Sequence, residues 1–191
     1  MLHIHSLQHA LIQARDLHLD AGQGIHLQGP SGAGKSLLLR CLADLLPWQG
    51  EMELHGRSVW AQTPVQWRRQ VVYCSTENHW WLPRCADHFL HDPRTDMDSV
   101  GLDPALLERA PAQLSSGQRQ RLALLRALDR QPTVLCADEP CANLDDHSRA
   151  RVEARLEAFV QRGGMLILTH HQKPSLPLTP WRIENGRVHH A

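Results

Sequence analysis

The chain has 191 residues, with 20 basic and 20 acidic side chains and 42% apolar residues. That length supports one domain with a true core, and the absence of net charge argues against a nucleic-acid partner. No apolar run approaches the ~18 residues a membrane helix needs, and Met1-Leu2-His3-Ile4-His5 lacks the blocks of a secretory signal, so a cytoplasmic, soluble protein is expected. Residues 1–28 alternate as strands, with Leu17, Leu19, Ile25 and Leu27 placed about a Gly22-Gln23-Gly24 turn. A helix is expected over 35–46, stopped by Pro47, and another hairpin over 50–59 about His55-Gly56. Residues 71–74 read as a strand. Residues 78–112 hold Pro83, Pro93, Pro104 and Pro111 and predict an irregular stretch with two short helices. An amphipathic helix over 118–128 precedes a buried strand over 133–137. A charged helix over 146–162 ends at Gly163-Gly164, a buried strand covers 166–168, and a closing hairpin spans 182–189.

Three motifs carry chemistry. Gly29-Pro30-Ser31-Gly32-Ala33-Gly34-Lys35-Ser36 fits G-x-x-x-x-G-K-[ST], between a strand and a helix. Glycines at 29, 32 and 34 free the backbone to turn successive N–H groups toward phosphate oxygens, and the helix that follows adds its positive end. Lys35 is placed to reach the β- and γ-phosphates and the Ser36 hydroxyl to bind Mg²⁺. Downstream, the strand over 133–137 ends in Asp138-Glu139-Pro140, which puts two carboxylates at the carboxyl edge of an α/β sheet, where such sheets bind ligands. Asp138 suits the metal ion and Glu139 the general base that polarises water. Between them stands Leu114-Ser115-Ser116-Gly117-Gln118.

In this order the motifs resemble those of the ATP-binding cassette (ABC) ATPases, over nearly the whole chain. The resemblance implies a P-loop α/β core sheet flanked by helices, with an N-terminal antiparallel β subdomain and a short helical subdomain over about 78–130. The whole of 1–191 would form one ABC ATPase domain. Residues 114–118 are similar to the family signature LSGGQ, with Ser116 in place of the first glycine. That likeness implies that Ser115, Ser116, Gly117 and Gln118 meet the γ-phosphate of ATP held by a second cassette, in a head-to-tail dimer. Asn143-Leu144-Asp145 resembles the loop that crosses the dimer interface, with Asp145 as its acidic residue. His170, after the strand over 166–168, stands where the family carries its switch histidine. The implied activity is ATP hydrolysis with Mg²⁺, driving transport through a separate integral membrane permease subunit at the inner face of the membrane. The alternative is a soluble ABC ATPase acting on a non-transport assembly. Against that alternative stand the single cassette and the lack of a long insertion between the first two motifs.

The chain departs from the family at two places. After the strand over 71–74 it reads Ser75-Thr76-Glu77-Asn78, with no glutamine for the loop that senses Mg²⁺; Thr76 and Glu77 are the available substitutes. No Phe, Tyr or Trp lies in residues 1–20 to stack on adenine. His5 or His9 stands in for it or is a solvated surface histidine, and loose discrimination between ATP and GTP is expected. Trp80-Trp81, just beyond the substitute loop, suggests an aromatic anchor in the groove that receives the membrane subunit, against packing of both rings within the helical lobe. The five cysteines show no C-x-x-C spacing and read as reduced, buried thiols. The 14 histidines are scattered, with no ligand cluster at the spacing a metal site needs.

Overall fold

The computed structural model describes residues 1–75, 79–170 and 172–190. The amino-terminal part contains strands β1 (Leu2–His9), β2 (Ile12–Leu19) and β3 (Gly24–Gln28), then helix α1 (Lys35–Leu42), strands β4 (Gln49–Leu54) and β5 (Arg57–Ser58) and helix α2 (Pro64–Gln70). Then come β6 (Val71–Cys74), α3 (Arg94–Met97), α4 (Ser116–Asp129), β7 (Val134–Asp138) and α5 (Asp146–Gln161). β8 (Met165–Thr169), β9 (Thr179–Glu184) and β10 (Arg187–His190) close the chain.

All ten strands join one sheet in the order β5-β4-β1-β2-β10-β9-β3-β8-β7-β6. From β9 to β6 the neighbours run parallel, so the carboxyl ends of β3, β8 and β7 share one edge. β1, β2, β4 and β5 pair antiparallel. The expected P-loop sheet with an antiparallel amino-terminal part is thus the architecture found.

Strand β7 shows how the parallel part is built. All five of its residues are buried, because both faces of the sheet are covered. Val134 and Cys136 pack with α1 residues Leu38, Leu39 and Leu42. Leu135 and Ala137 point the other way, to Leu124 of α4 and to Val152 and Leu156 of α5. A third apolar cluster gathers Cys85, Met97, Val100, Leu107, Leu114 and Leu122.

Four expectations change. β2 and β3 are not a hairpin: β3 lies between β8 and β9, and β2 folds back on β1 at the Ala10-Leu11 turn, with His9 opposite Ile12. Alternation marks strands but not their partners. Helix α1 stops at Leu42 rather than at Pro47. Asp44 takes a left-handed conformation (φ 54°), and N–H groups of Asp44 and Leu45 return to the carbonyls of Cys41 and Arg40 at 2.9 and 2.8 Å, closing the helix as a Schellman turn. Arg68 of α2 clamps the Asp44 carbonyl at 2.6 Å. Residues 79–112 hold one short α-helix, α3, with 3-10 turns at Ala86–His88, Asp98–Val100, Pro104–Glu108 and Pro111–Gln113, since prolines at this density interrupt longer helices. The closing hairpin is longer than expected and turns on Asn185-Gly186, both left-handed (φ 48° and 75°), the pair a type I′ turn favours. The other hairpin, β4–β5, turns on His55-Gly56 as anticipated.

Candidate functional site

The phosphate loop leaves β3 at Gln28 and enters α1 at Lys35. Gly34 sits at the helix start with φ 102°, and α1 has no side-chain cap. The orphan N–H groups of its first turn are therefore left for an anion. A Cβ at position 34 would fall 2.5 Å from Ile12 Cγ2, so the close approach of β2 demands glycine there. Lys35 curls over the loop: Nζ donates to the carbonyls of Gly29 (2.8 Å) and Pro30 (3.0 Å). These features fit a polyphosphate. Ser36 follows in the first turn of α1.

At the end of β7 the acidic pair is held by side chains from neighbouring strands. The buried Asp138 accepts from Thr169 Oγ1 at 2.7 Å and from the Tyr73 hydroxyl at 2.8 Å. Thr169 lies opposite Asp138 across the β7–β8 ladder, and its Oγ1 also accepts the Glu139 N–H at 3.0 Å. Burial raises the pKa of the Tyr73 hydroxyl, with the Arg40 contact opposing and the Asp138 carboxylate adding to the rise. The Tyr73 proton therefore stays on oxygen and is donated to Asp138. Glu139 is left-handed (φ 49°), a conformation that costs about 1–3 kcal/mol outside glycine. Gln120 of α4 donates to its carbonyl at 2.8 Å, which helps hold that geometry. Tyr73, Thr169 and Gln120 were not singled out from sequence; their contact with the acidic pair depends on pairing across 65, 31 and 19 positions.

His170 follows β8 and lines, with Glu139, Asn143, Leu144 and Arg149, a cleft of about 340 Å³. Its Nδ1 accepts the Gln172 N–H at 2.9 Å. Its Nε2 is buried with no hydrogen-bond partner among the described residues. Burial lowers the His170 pKa, with the Glu153 charge opposing, so the ring is neutral at pH 7 and Nε2 bears the proton.

The signature segment opens α4 but is capped by its own residues. Ser115 Oγ accepts the Gln118 N–H at 3.2 Å, and Gln118 Oε1 accepts the Ser115 N–H at 2.9 Å, a reciprocal capping box. Ser116 is exposed, and a Cβ on Gly117 would fall 3.2 Å from Leu144. Asp145 caps α5: its carboxylate accepts the Ser148 N–H at 2.8 Å and the Ser148 hydroxyl at 2.9 Å. Those bonds hold its carboxyl below the usual carboxylate range.

Thr76 and Glu77, expected from sequence as candidates to replace the sensing glutamine, lie outside the described residues. His5 is not at the phosphate loop: its ring lies against His3, centroids 3.8 Å apart. His9 is nearer, opposite Ile12 at the β1–β2 turn, the residue that abuts Gly34. The tryptophans divide. Trp80 packs on the third apolar cluster, while Trp81 is 66% exposed and lines a groove of about 550 Å³ with Leu45, Leu46, Val72, Arg126 and Ala127.

The family model for ABC transporters matches residues 12–142, a span that contains the phosphate loop, the signature and the acidic pair. The chain belongs to the ABC transporter family. Among curated members, the sn-glycerol-3-phosphate import ATP-binding protein of Chromohalobacter salexigens is 36% identical over 85% of this chain and 48% of its own length. The cytochrome c biogenesis ATP-binding export protein of Tatumella citrea is 33% identical, over 80% of this chain and 77% of its own. The chain thus spans about half the length of the first of these ABC relatives. In fold, it resembles a solved dimeric ATP-binding cassette in a post-hydrolysis state bound to ADP and Pi. The TM-score is 0.82 at 19% identity, over 98% of this chain and 96% of that one.

Proposed function

We propose that this ABC-family chain is one cassette, with a helical subdomain over about 78–130, and acts as the ATP-hydrolysing motor subunit of a transporter. It would bind Mg-ATP between two head-to-tail cassettes and drive a separate membrane permease. The observation that carries the reading is the shared carboxyl edge of β3, β8 and β7, where an uncapped, Lys35-bearing helix start meets a fixed Asp138-Glu139 pair. The gathering of phosphate donors and carboxylates at one sheet edge suits transfer of a phosphoryl group to water.

In this reading the loop N–H groups of residues 29–34 and Lys35 bind the polyphosphate. Ser36 and Asp138 would hold Mg²⁺, which would supply positive charge against the phosphate oxygens. Thr169 and Tyr73 keep the Asp138 carboxylate aimed. Glu139 accepts the proton of the attacking water as its oxygen bonds to phosphorus and the bond to the bridging oxygen breaks. His170, neutral with Nε2–H, donates toward the γ-phosphate oxygens. Ser115 to Gln118 meet the nucleotide of the second cassette, and Asp145 lies on the loop that crosses the dimer interface. Trp81 and its groove take the permease, which would place the protein against the inner face of the membrane. No helix among the described residues is long and apolar enough to cross that membrane itself.

Glu139→Gln tests the reading. Hydrolysis is expected to fall about 10²–10⁴-fold, the range general-base catalysis supplies, while ATP is still bound and the protein elutes as an ATP-dependent dimer. Normal turnover in the variant refutes the general-base role. Tagged Glu139→Gln protein with ATP should also retain a multi-span protein from detergent-solubilised membranes of its host. Loss of that capture in Trp81→Ala would assign the groove, and recovery of ribosomes or DNA instead would favour a non-transport assembly.

A further inference from the structure

The histidines were scattered in sequence, but strand pairing gathers two of them with a carboxylate on the antiparallel half of the sheet. His3 and His5 are two apart on β1, the spacing that places strand residues on one face. A register shift between Ile4 and Ser6 leaves His5 at a bulge, the kind of irregularity that re-aims a side chain. Glu53 of β4 is the cross-strand partner of His3. Its Oε1 lies 3.8 Å from His3 Nδ1 and 3.5 Å from His5 Nε2. One ligand atom from each of the three residues lies within 4.8 Å of the other two.

We propose that His3, His5 and Glu53 form a binding site for a divalent transition ion of the zinc class. The two imidazole-to-carboxylate separations are too long for good hydrogen bonds. They suit atoms sharing one ion, because bonds of ~2.1 Å at a tetrahedral angle hold ligands about 3.4 Å apart. Two imidazoles and one carboxylate are a ligand set that zinc accepts, with water completing four-coordination. The other nitrogen of His3 supports the arrangement. Nε2 lies 3.1 Å from Asp16 Oδ1, and Asp16 reaches it from a left-handed position on β2 (φ 52°). Donation of Nε2–H to that carboxylate fixes the tautomer that presents Nδ1 to the ion, the outer-shell partner that metal-binding histidines usually have. The site rests on β1 and β4, apart from the nucleotide loop after β3, and stands whether or not the transport reading does.

The test uses tag-free, chelator-treated protein titrated with Zn²⁺ against a chromophoric competitor, and with Co²⁺ followed by absorption. One equivalent of tight zinc binding is expected in the wild type and is lost in His3→Ala/His5→Ala. Asp16→Asn should weaken it about 10–100-fold at unchanged stoichiometry. Bound Co²⁺ should show ligand-field bands without a thiolate charge-transfer band. Zinc should raise the melting temperature of the wild type and leave that of the double variant unmoved. If the double variant does not fold, His5→Ala alone, at a side chain 43% exposed, makes the same comparison. Unchanged zinc affinity and stoichiometry in the variants overturns the proposal. A thiolate-to-cobalt band does so too, since it would place the ion at the Cys141-Glu153-His170 group instead.

Discussion

Helices α1 and α4 both begin at segments expected to meet ATP phosphates, yet their first turns are finished differently. α1 starts at a glycine with no side-chain cap, so its N–H groups keep their capacity for an anion. α4 starts with Ser115 and Gln118 satisfying each other's backbone. An open helix start can bind a phosphate at once. A self-capped one is stable alone and offers mainly its exposed Ser116 hydroxyl and the remaining N–H groups until a partner nucleotide arrives. In the proposed reading, one end holds nucleotide within the chain and the other waits for the second cassette.

The comparison can be broken most severely at α1. Lys35→Ala removes a charge-assisted donor to phosphate, and such bonds contribute roughly 1.5–3 kcal/mol. ATP affinity measured by calorimetry should fall at least about 10-fold; unchanged binding would refute the phosphate-loop assignment. Next comes the acidic end of β7, which relies on side chains rather than open backbone. Thr169→Val leaves Asp138 Oδ1 and the Glu139 N–H without their shared hydroxyl, at a cost of about 1–3 kcal/mol for buried polar groups. The melting temperature should drop by several degrees, and the Mg²⁺ concentration for half-maximal hydrolysis should rise. A variant matching wild type in both would show that Asp138 needs no such support. Ser115→Ala removes the cap of α4. It should cost about 1 kcal/mol, or ~2–4 °C in melting temperature for a chain of this size, with ATP binding to the isolated chain unchanged. The smallest effect is expected from Ser116→Gly, exposed and outside the capping box: stability within about 0.5 kcal/mol and turnover equal or faster. A collapse of turnover there would give the Ser116 hydroxyl a role of its own.

What sequence revealed followed from how local each feature is. The phosphate loop is one contiguous segment whose glycines, lysine and helix start fall within eight positions, and the acidic pair closes a strand of uniformly small or apolar residues. Both were legible. The choice of strand partners was not: Leu17, Leu19, Ile25 and Leu27 alternate as a hairpin would, yet β3 is claimed by β8 and β9 from the far end of the chain. Helix α1 was overextended because Pro47 is a visible stop, whereas the stop that acts is Asp44, locked by Arg68 from α2. Tyr73 and Thr169 escaped notice for the same reason as the partners did, since their hydroxyls matter only once β6 and β8 flank β7. The His3-His5-Glu53 group needed both a β1–β4 register and a bulge to exist.

The five cysteines carry a practical consequence. All are buried and free, and burial pushes each thiol upward, to about 11 at Cys41 and to about 12 at Cys74, Cys136 and Cys141. With so little thiolate at neutral pH, the folded native chain should take up alkylating reagents slowly. A single cysteine introduced at the exposed Trp81 position would then react almost alone. The groove beside it could carry one spin label or fluorophore in an otherwise unmodified background, and its distance to the same label on a second copy could be followed through an ATP cycle.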